Sequence, residues 1–175
     1  MTSRFITLSL VIVLLGAIAA ACGGGDGDGD PLTIGRYFER LETLAGRFED
    51  RGTELEEEFD VASATSDDEL VELSQDFLRG GLAVLQDFVD DLDRLAPPAG
   101  VADAHDTAVD AGRAAVSAFQ DVVDQAEDAV SAADLAPLFE LFAEGAAFDQ
   151  FSEGCFALQE IADDTGISVD LQCGE

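Results

Sequence analysis

"SDDELVELSQDFLRGGLAVLQDFVDDLDRLAPP", residues 66–98, decides the fold class. Ser66, with Glu69 three positions on, is the pattern of a capping box, in which side chains satisfy the free backbone N–H groups of a starting helix. Asp67, Asp68 and Glu69 place negative charge at the positive end of the helix dipole. Leu70, Leu73, Phe77, Val84, Leu85, Phe88, Leu92 and Leu95 then recur at helical spacing. Ala96-Pro97-Pro98 ends the run, because proline lacks an N–H and pushes the preceding residue out of the helical region. So long a helix with one apolar stripe must bury that stripe against other helices. Gly80-Gly81, in its middle, costs about 1 kcal/mol per glycine relative to alanine. A closely approaching neighbour or a bend accounts for the pair; a gap for a ligand is the alternative.

The same periodicity extends to both sides. Upstream, Asp30-Pro31 reads as a helix start, and Ile34, Tyr37, Phe38, Leu41, Leu44, Phe48, Leu55 and Phe59 share one face of a helix over about 31–60. Downstream, a third helix over about 99–131 turns Val101, His105, Ala108, Gly112, Val116, Phe119, Val123, Ala126 and Val130 inward. The small residues of that face allow close partners. A fourth helix starts at Asp134, with Pro137 in its first turn. Leu135, Leu138, Phe139, Phe142 and Ala146 lie on one side of it, whereas Phe148, Phe151, Cys155, Leu158 and Ala162 lie nearly opposite. The switch near Gly145 predicts a break or kink. Beyond Thr165-Gly166, Ile167, Val169 and Leu171 alternate as an extended strap does. Short loops between long helices predict an all-α, antiparallel up-down-up-down four-helix bundle over 31–175, its fourth helix kinked near Gly145, with an extended C-terminal strap.

Composition supports a folded core and restricts its partners. Hydrophobic residues make up 47% of the 175, too many for a disordered acidic chain. Against 38 acidic residues stand eight Arg and no Lys, a formal net charge of −30. Such a surface repels nucleic acid, so no nucleic-acid partner is expected. Solubility and colloidal repulsion explain the charge most simply; adaptation to high salt or recruitment of cations is the sharper reading.

The N-terminus has a different character. One positive charge, Arg4, precedes "FITLSLVIVLLGAIAAA", residues 5–21, which carries no charge and ends in small residues. That is the shape of a secretory signal peptide, residues 1–21. "AAAC", residues 19–22, resembles the lipobox of bacterial lipoproteins, with Ala19 where leucine is commonest. The resemblance covers residues 1–30 only. It implies cleavage before Cys22, acylation of Cys22 on sulfur (palmitate or a similar chain), and attachment to the extracytoplasmic face of a bacterial membrane. "GGGDGDGD", residues 23–30, suits a flexible tether between lipid and domain. Its alternating Asp26, Asp28 and Asp30 do not make an EF-hand loop, since Pro31 and Tyr37 occupy the places of the required glycine and glutamate. With Cys22 assigned to lipid, Cys155 and Cys173 remain as a pair for an oxidising compartment. The helix carries the chain about 15 Å from Cys155 to Thr165. The extended return reaches about 25 Å, so a bridge is attainable.

No catalytic motif stands out. Arg36, Arg40, Arg47 and Arg51 share one edge of the first helix, suited to interhelical ion pairs or, alternatively, to an anionic ligand or lipid headgroup. His105 is the sole histidine and points inward; packing or a cap bond explains it better than metal ligation or base catalysis beside Asp103 or Asp106. Carboxylates crowd at 54–58, 87–93 and 163–164 without a Glu-x-x-His spacing. Haem-attachment, hydrolase and nucleotide-phosphate motifs are absent from the sequence. The expectation is a non-enzymatic structural, interaction or ligand-binding module without cofactor or metal, held to the membrane by its lipid, with an unnamed protein or small-molecule partner. The alternative is a binder of divalent cations or a cationic solute through the acidic surface.

Overall fold

The computed structural model describes residues 31–143 and 145–173. The expected signal peptide, Cys22, the tether and Asp30 lie outside the described residues, as does the side chain of Phe142. Five helices pack as a bundle, and no strand occurs among the described residues. They are α1 (Ile34–Glu58), α2 (Asp67–Asp93), α3 (Ala102–Glu127), α4 (Ala132–Ala143) and α5 (Ala146–Asp164), with a 3₁₀ turn at Val61–Ser63. The described residues are all-α, with five helices where four, the last broken or kinked near Gly145, were expected.

Local signals set most helix ends. Thr33 caps α1, its hydroxyl accepting from the Arg36 N–H at 3.4 Å, so α1 starts after the expected Asp30-Pro31. Ser66 caps α2 by accepting from the Glu69 N–H at 3.3 Å. Glu69, however, reaches one residue further back than a capping box requires. Its carboxylate accepts from the Thr65 N–H at 2.8 Å and the Thr65 hydroxyl at 2.7 Å. Asp134 lies inside the first turn of α4 rather than at its cap, accepting from the Ser131 hydroxyl at 2.8 Å and the Val130 N–H at 3.2 Å. Because α4 starts at Ala132, Pro137 falls past the first turn, where it offers no N–H to the carbonyl four residues back. The expected break is present: α4 ends at Ala143 and Gly145 is the cap of α5.

Cross-helix pairs give the helix directions. Arg47 meets Asp91 while Arg51 meets Asp87, so α1 and α2 run antiparallel. Arg113 meets Asp93 and Arg79 meets Glu127, so α3 reverses again. Gly154 of α5 lies on Ala108 and Phe148 stacks edge-on with Phe119, which reverses α5 against α3.

Two apolar clusters form the core. One gathers Val71, Leu78, Leu82, Phe119, Val122, Val123 and Leu135 among others, where α2, α3 and α4 meet. The other gathers Tyr37, Phe38, Leu41, Leu92, Val101, Val109, Leu158 and Leu171 at the opposite end. Phe88 packs against both.

The inward faces differ from expectation in places. On α2, Val71, Leu78, Leu82 and Val89 are buried, while Leu70, Leu73 and Phe77 are only half-buried. α2 contacts α1, α3 and α4, so its buried sector is wider and rotated relative to a stripe facing one neighbour. Val130 is 83% exposed because α3 ends at Glu127, before helical periodicity can turn it inward. Phe48 and Phe139 remain at the surface, each 37% exposed. Among the described residues no helix is long and apolar enough to cross a membrane.

Candidate functional site

His105 is buried as expected, and its partner is Tyr37, which sequence spacing did not suggest. The Tyr37 hydroxyl lies 3.0 Å from His105 Nδ1, joining α1 to α3 inside the core. Burial first, then the nearby Asp106 charge, pushes the Tyr37 phenol far above its ordinary value. It therefore stays protonated, able to donate to Nδ1. Burial pulls His105 below its ordinary 6.5, against the opposing pull of the Asp106 and Asp93 charges. Burial thus favours the neutral imidazole, whose proton lies on Nε2 in the tautomer that accepts from Tyr37. Asp106 acts on the pair through its field; Asp103 spends its backbone carbonyl on the Thr107 hydroxyl. The pair works as a buried polar crosslink between α1 and α3.

Cys155 and Cys173 are bridged, with their Cα atoms 5.4 Å apart. Gly166, at φ +72°, ends α5 in the left-handed conformation that glycine takes without strain. The Ile167 N–H returns to the Ala162 carbonyl at 2.9 Å and the Gly166 N–H to Asp163 at 3.0 Å, a Schellman arrangement. The chain then runs back along α5 with the expected alternation: Ile167 and Val169 half-buried, Leu171 buried, the residues between them exposed. Gln159 holds this strap at both ends of its amide. It donates to the Val169 carbonyl at 3.1 Å and accepts from the Leu171 N–H at 3.0 Å. Glu42 on α1 accepts from the Asp170 N–H at 3.1 Å, so the strap ties α5 to α1.

The arginine edge lies along α1. Arg47 bonds Asp91 at 3.0 Å, and Arg51 bonds Asp87. Arg36 and Arg40 are exposed on the same helix, nearer its start. Arg47 and Arg51 thus meet carboxylates of α2, in line with interhelical pairing. A small cavity of about 60 Å³ lies beneath those pairs, lined in part by Phe48 and Phe88. Arg79, Arg94 and Arg113 are also paired with carboxylates. Among the described residues no group of three or more His, Cys, Asp or Glu side chains is placed to hold a metal ion.

Gly80 and Gly81 face side chains rather than a ligand gap. A Cβ on Gly80 would meet the end of Leu55, and one on Gly81 would lie 3.1 Å from the Phe119 ring. One turn before them, a cleft of about 290 Å³ opens between the end of α1, the 3₁₀ turn, α2 and α4. Phe59, Val61, Phe77 and Phe139 form its walls, with Glu56 and Asp60 beside them. The sequence marked Phe59, Phe77 and Phe139 as core residues; their incomplete burial is a tertiary outcome that periodicity does not reveal.

Comparison of the chain with protein-family models, with curated proteins and with solved structures found no match.

Proposed function

We propose that this chain is a lipid-anchored, extracytoplasmic protein of the bacterial cell envelope. Its helical body would serve a non-enzymatic structural, interaction or ligand-binding role. The observation that carries the reading is the Cys155–Cys173 bridge. Disulfides persist in oxidising compartments, and this one leaves Cys22 as the odd cysteine of three, in the lipobox-like stretch. Within this reading α4 and α5 act together as the fourth member of an up-down-up-down bundle, kinked at Gly145, and the strap fastens its last edge. The paired Arg47 and Arg51 favour ion pairing over an anion seat for the arginine edge.

Mass spectrometry of the membrane-extracted protein, without reduction, tests the reading. The expected result is a mature chain beginning at an acylated Cys22, with residues 155 and 173 linked. A cytosolic chain with Met1 intact and three free thiols would overturn it.

A second reading, recruitment of cations or of a cationic solute, draws on the net charge of −30 and the carboxylates beside the cleft. Calorimetric titration with calcium and with organic cations at physiological salt tests it; the absence of saturable heat with either would discard it.

A further inference from the structure

The cleft at the end of α1 combines two features that a solvated acidic surface does not. Three phenylalanines from three separate elements converge on it: Phe59 at the α1 terminus, Phe77 on α2 and Phe139 on α4. Val61 from the 3₁₀ turn completes an apolar wall, and Glu56 and Asp60 add negative charge beside it. We propose that this cleft binds a small organic cation of the substituted-ammonium class. The proposal rests on the second reading above and names the ligand class it would take.

Three physical arguments converge on that class. Aromatic faces attract a cation most when it gives up little hydration, which suits an alkylated ammonium better than a metal ion. Calcium would demand six to eight oxygen ligands, and these walls are carbon. An anion would be repelled by the carboxylates, and a neutral apolar ligand would make no use of them.

The local charge pattern is also unfavourable, as at the other helix ends, since none of the five described α-helices has a basic residue in its last turn. Glu56, Glu57 and Glu58 form the last turn of α1, at the negative end of its dipole, and no basic residue stands in that turn. Cations usually occupy such positions, and acids there raise the energy of the fold. The arginines of the adjoining segments are engaged elsewhere: Arg51 with Asp87, Arg79 with Asp76 and Glu127. A bound cation would relieve that repulsion. The volume, about 290 Å³, is at the small end for ligand sites and so favours a ligand with few heavy atoms.

The test is calorimetric titration of the full-length protein, extracted in a nonionic detergent, at physiological salt. The probes are benzyltrimethylammonium, benzyl alcohol as a neutral aromatic, and calcium. Saturable one-to-one binding of benzyltrimethylammonium, with none of benzyl alcohol, is expected. Phe139→Leu keeps the apolar bulk but removes a ring face; it and the Glu56→Gln/Asp60→Asn pair should each weaken binding by about fivefold or more. Phe139 is already partly exposed, so its variant should melt like the parent protein. Equal binding of benzyl alcohol, or affinity unchanged in both variants, would overturn the proposal. Calcium binding without benzyltrimethylammonium binding would overturn it and leave the second reading standing. Heat from neither cation would overturn both.

Discussion

The two ends of the bundle are built from similar helices but fastened differently. At the end holding Tyr37, His105 and the strap, apolar packing is reinforced by a buried hydrogen bond, a Schellman cap, the Gln159 amide and a disulfide. There α5 approaches α3 so closely that a Cβ on Gly154 would lie 3.0 Å from the Ala108 Cα. At the other end, the α2–α3–α4 cluster is held by aliphatic and aromatic packing, aided by Gln75, whose amide donates to the Ala126 carbonyl at 2.8 Å. Gly80 there faces the end of the half-buried Leu55 side chain, and Phe59, Phe77 and Phe139 leave a cleft. Cross-links thus collect at one end and open space at the other, which predicts a rigid end and an adaptable one.

The disulfide gives the contrast its largest test. Replacing Cys155 and Cys173 with Ser should lower stability by about 3 kcal/mol, the value for opening a loop of this length, measured by urea unfolding. Amide exchange should rise along 167–171 and stay low on α2 and α3. A loss well under 1 kcal/mol would mean that Gln159 and Glu42 hold the strap unaided.

The next effect comes from one substitution placed at both ends. Gly154→Ala presses on the Ala108 backbone and should cost about 2 kcal/mol. Gly80→Ala presses only on the end of half-exposed Leu55, which can swing away. Helix propensity then makes that change neutral or stabilising by up to about 1 kcal/mol. Equal losses by thermal melting would erase the distinction between rigid and adaptable ends.

The smallest effect is acid sensitivity at the fastened end. His105 is neutral in the fold and below its ordinary 6.5, whereas the unfolded chain takes up a proton near that value. Unfolding therefore gains a proton as pH falls below about 6.5. The His105 contribution is fully present above that pH, declines with acidification, and levels off under its lowered folded value. Glu69 and Asp134, held below the ordinary carboxylate range by bonds from Thr65 and from Ser131 and Val130, lose their contributions only at lower pH. His105→Gln should remove the loss that begins below about 6.5 and keep the one at lower pH, read from urea midpoints across pH. Tyr37→Phe, which deletes the donor to Nδ1, should cost about 1 kcal/mol at neutral pH.

Helix existence, the Ser66 cap, the interruption at Gly145, the alternation from Ile167 to Leu171 and the reach between Cys155 and Cys173 were all legible in residue order. Each follows from dihedral preference, spacing or chain length over a few residues. The rotation of the buried face of α2, the exposure of Val130 and Phe139, the Tyr37–His105 bond and the tie between Gln159 and the strap were not. They depend on which helix lies beside which, and at what distance. The arginine edge falls between these cases, since the sequence aligned Arg47 with Arg51, but only the antiparallel placement of α2 brought Asp91 and Asp87 to meet them.

By itself, then, the sequence determined that this chain is helical, acidic, interrupted at one glycine and able to close a bridge near its end. Tertiary structure alone decided that one end would be cross-tied and the other left with an aromatic cleft. The physical reason is that periodicity reports a residue's angle about its own helix axis, whereas burial and hydrogen bonding depend on what another helix places opposite it.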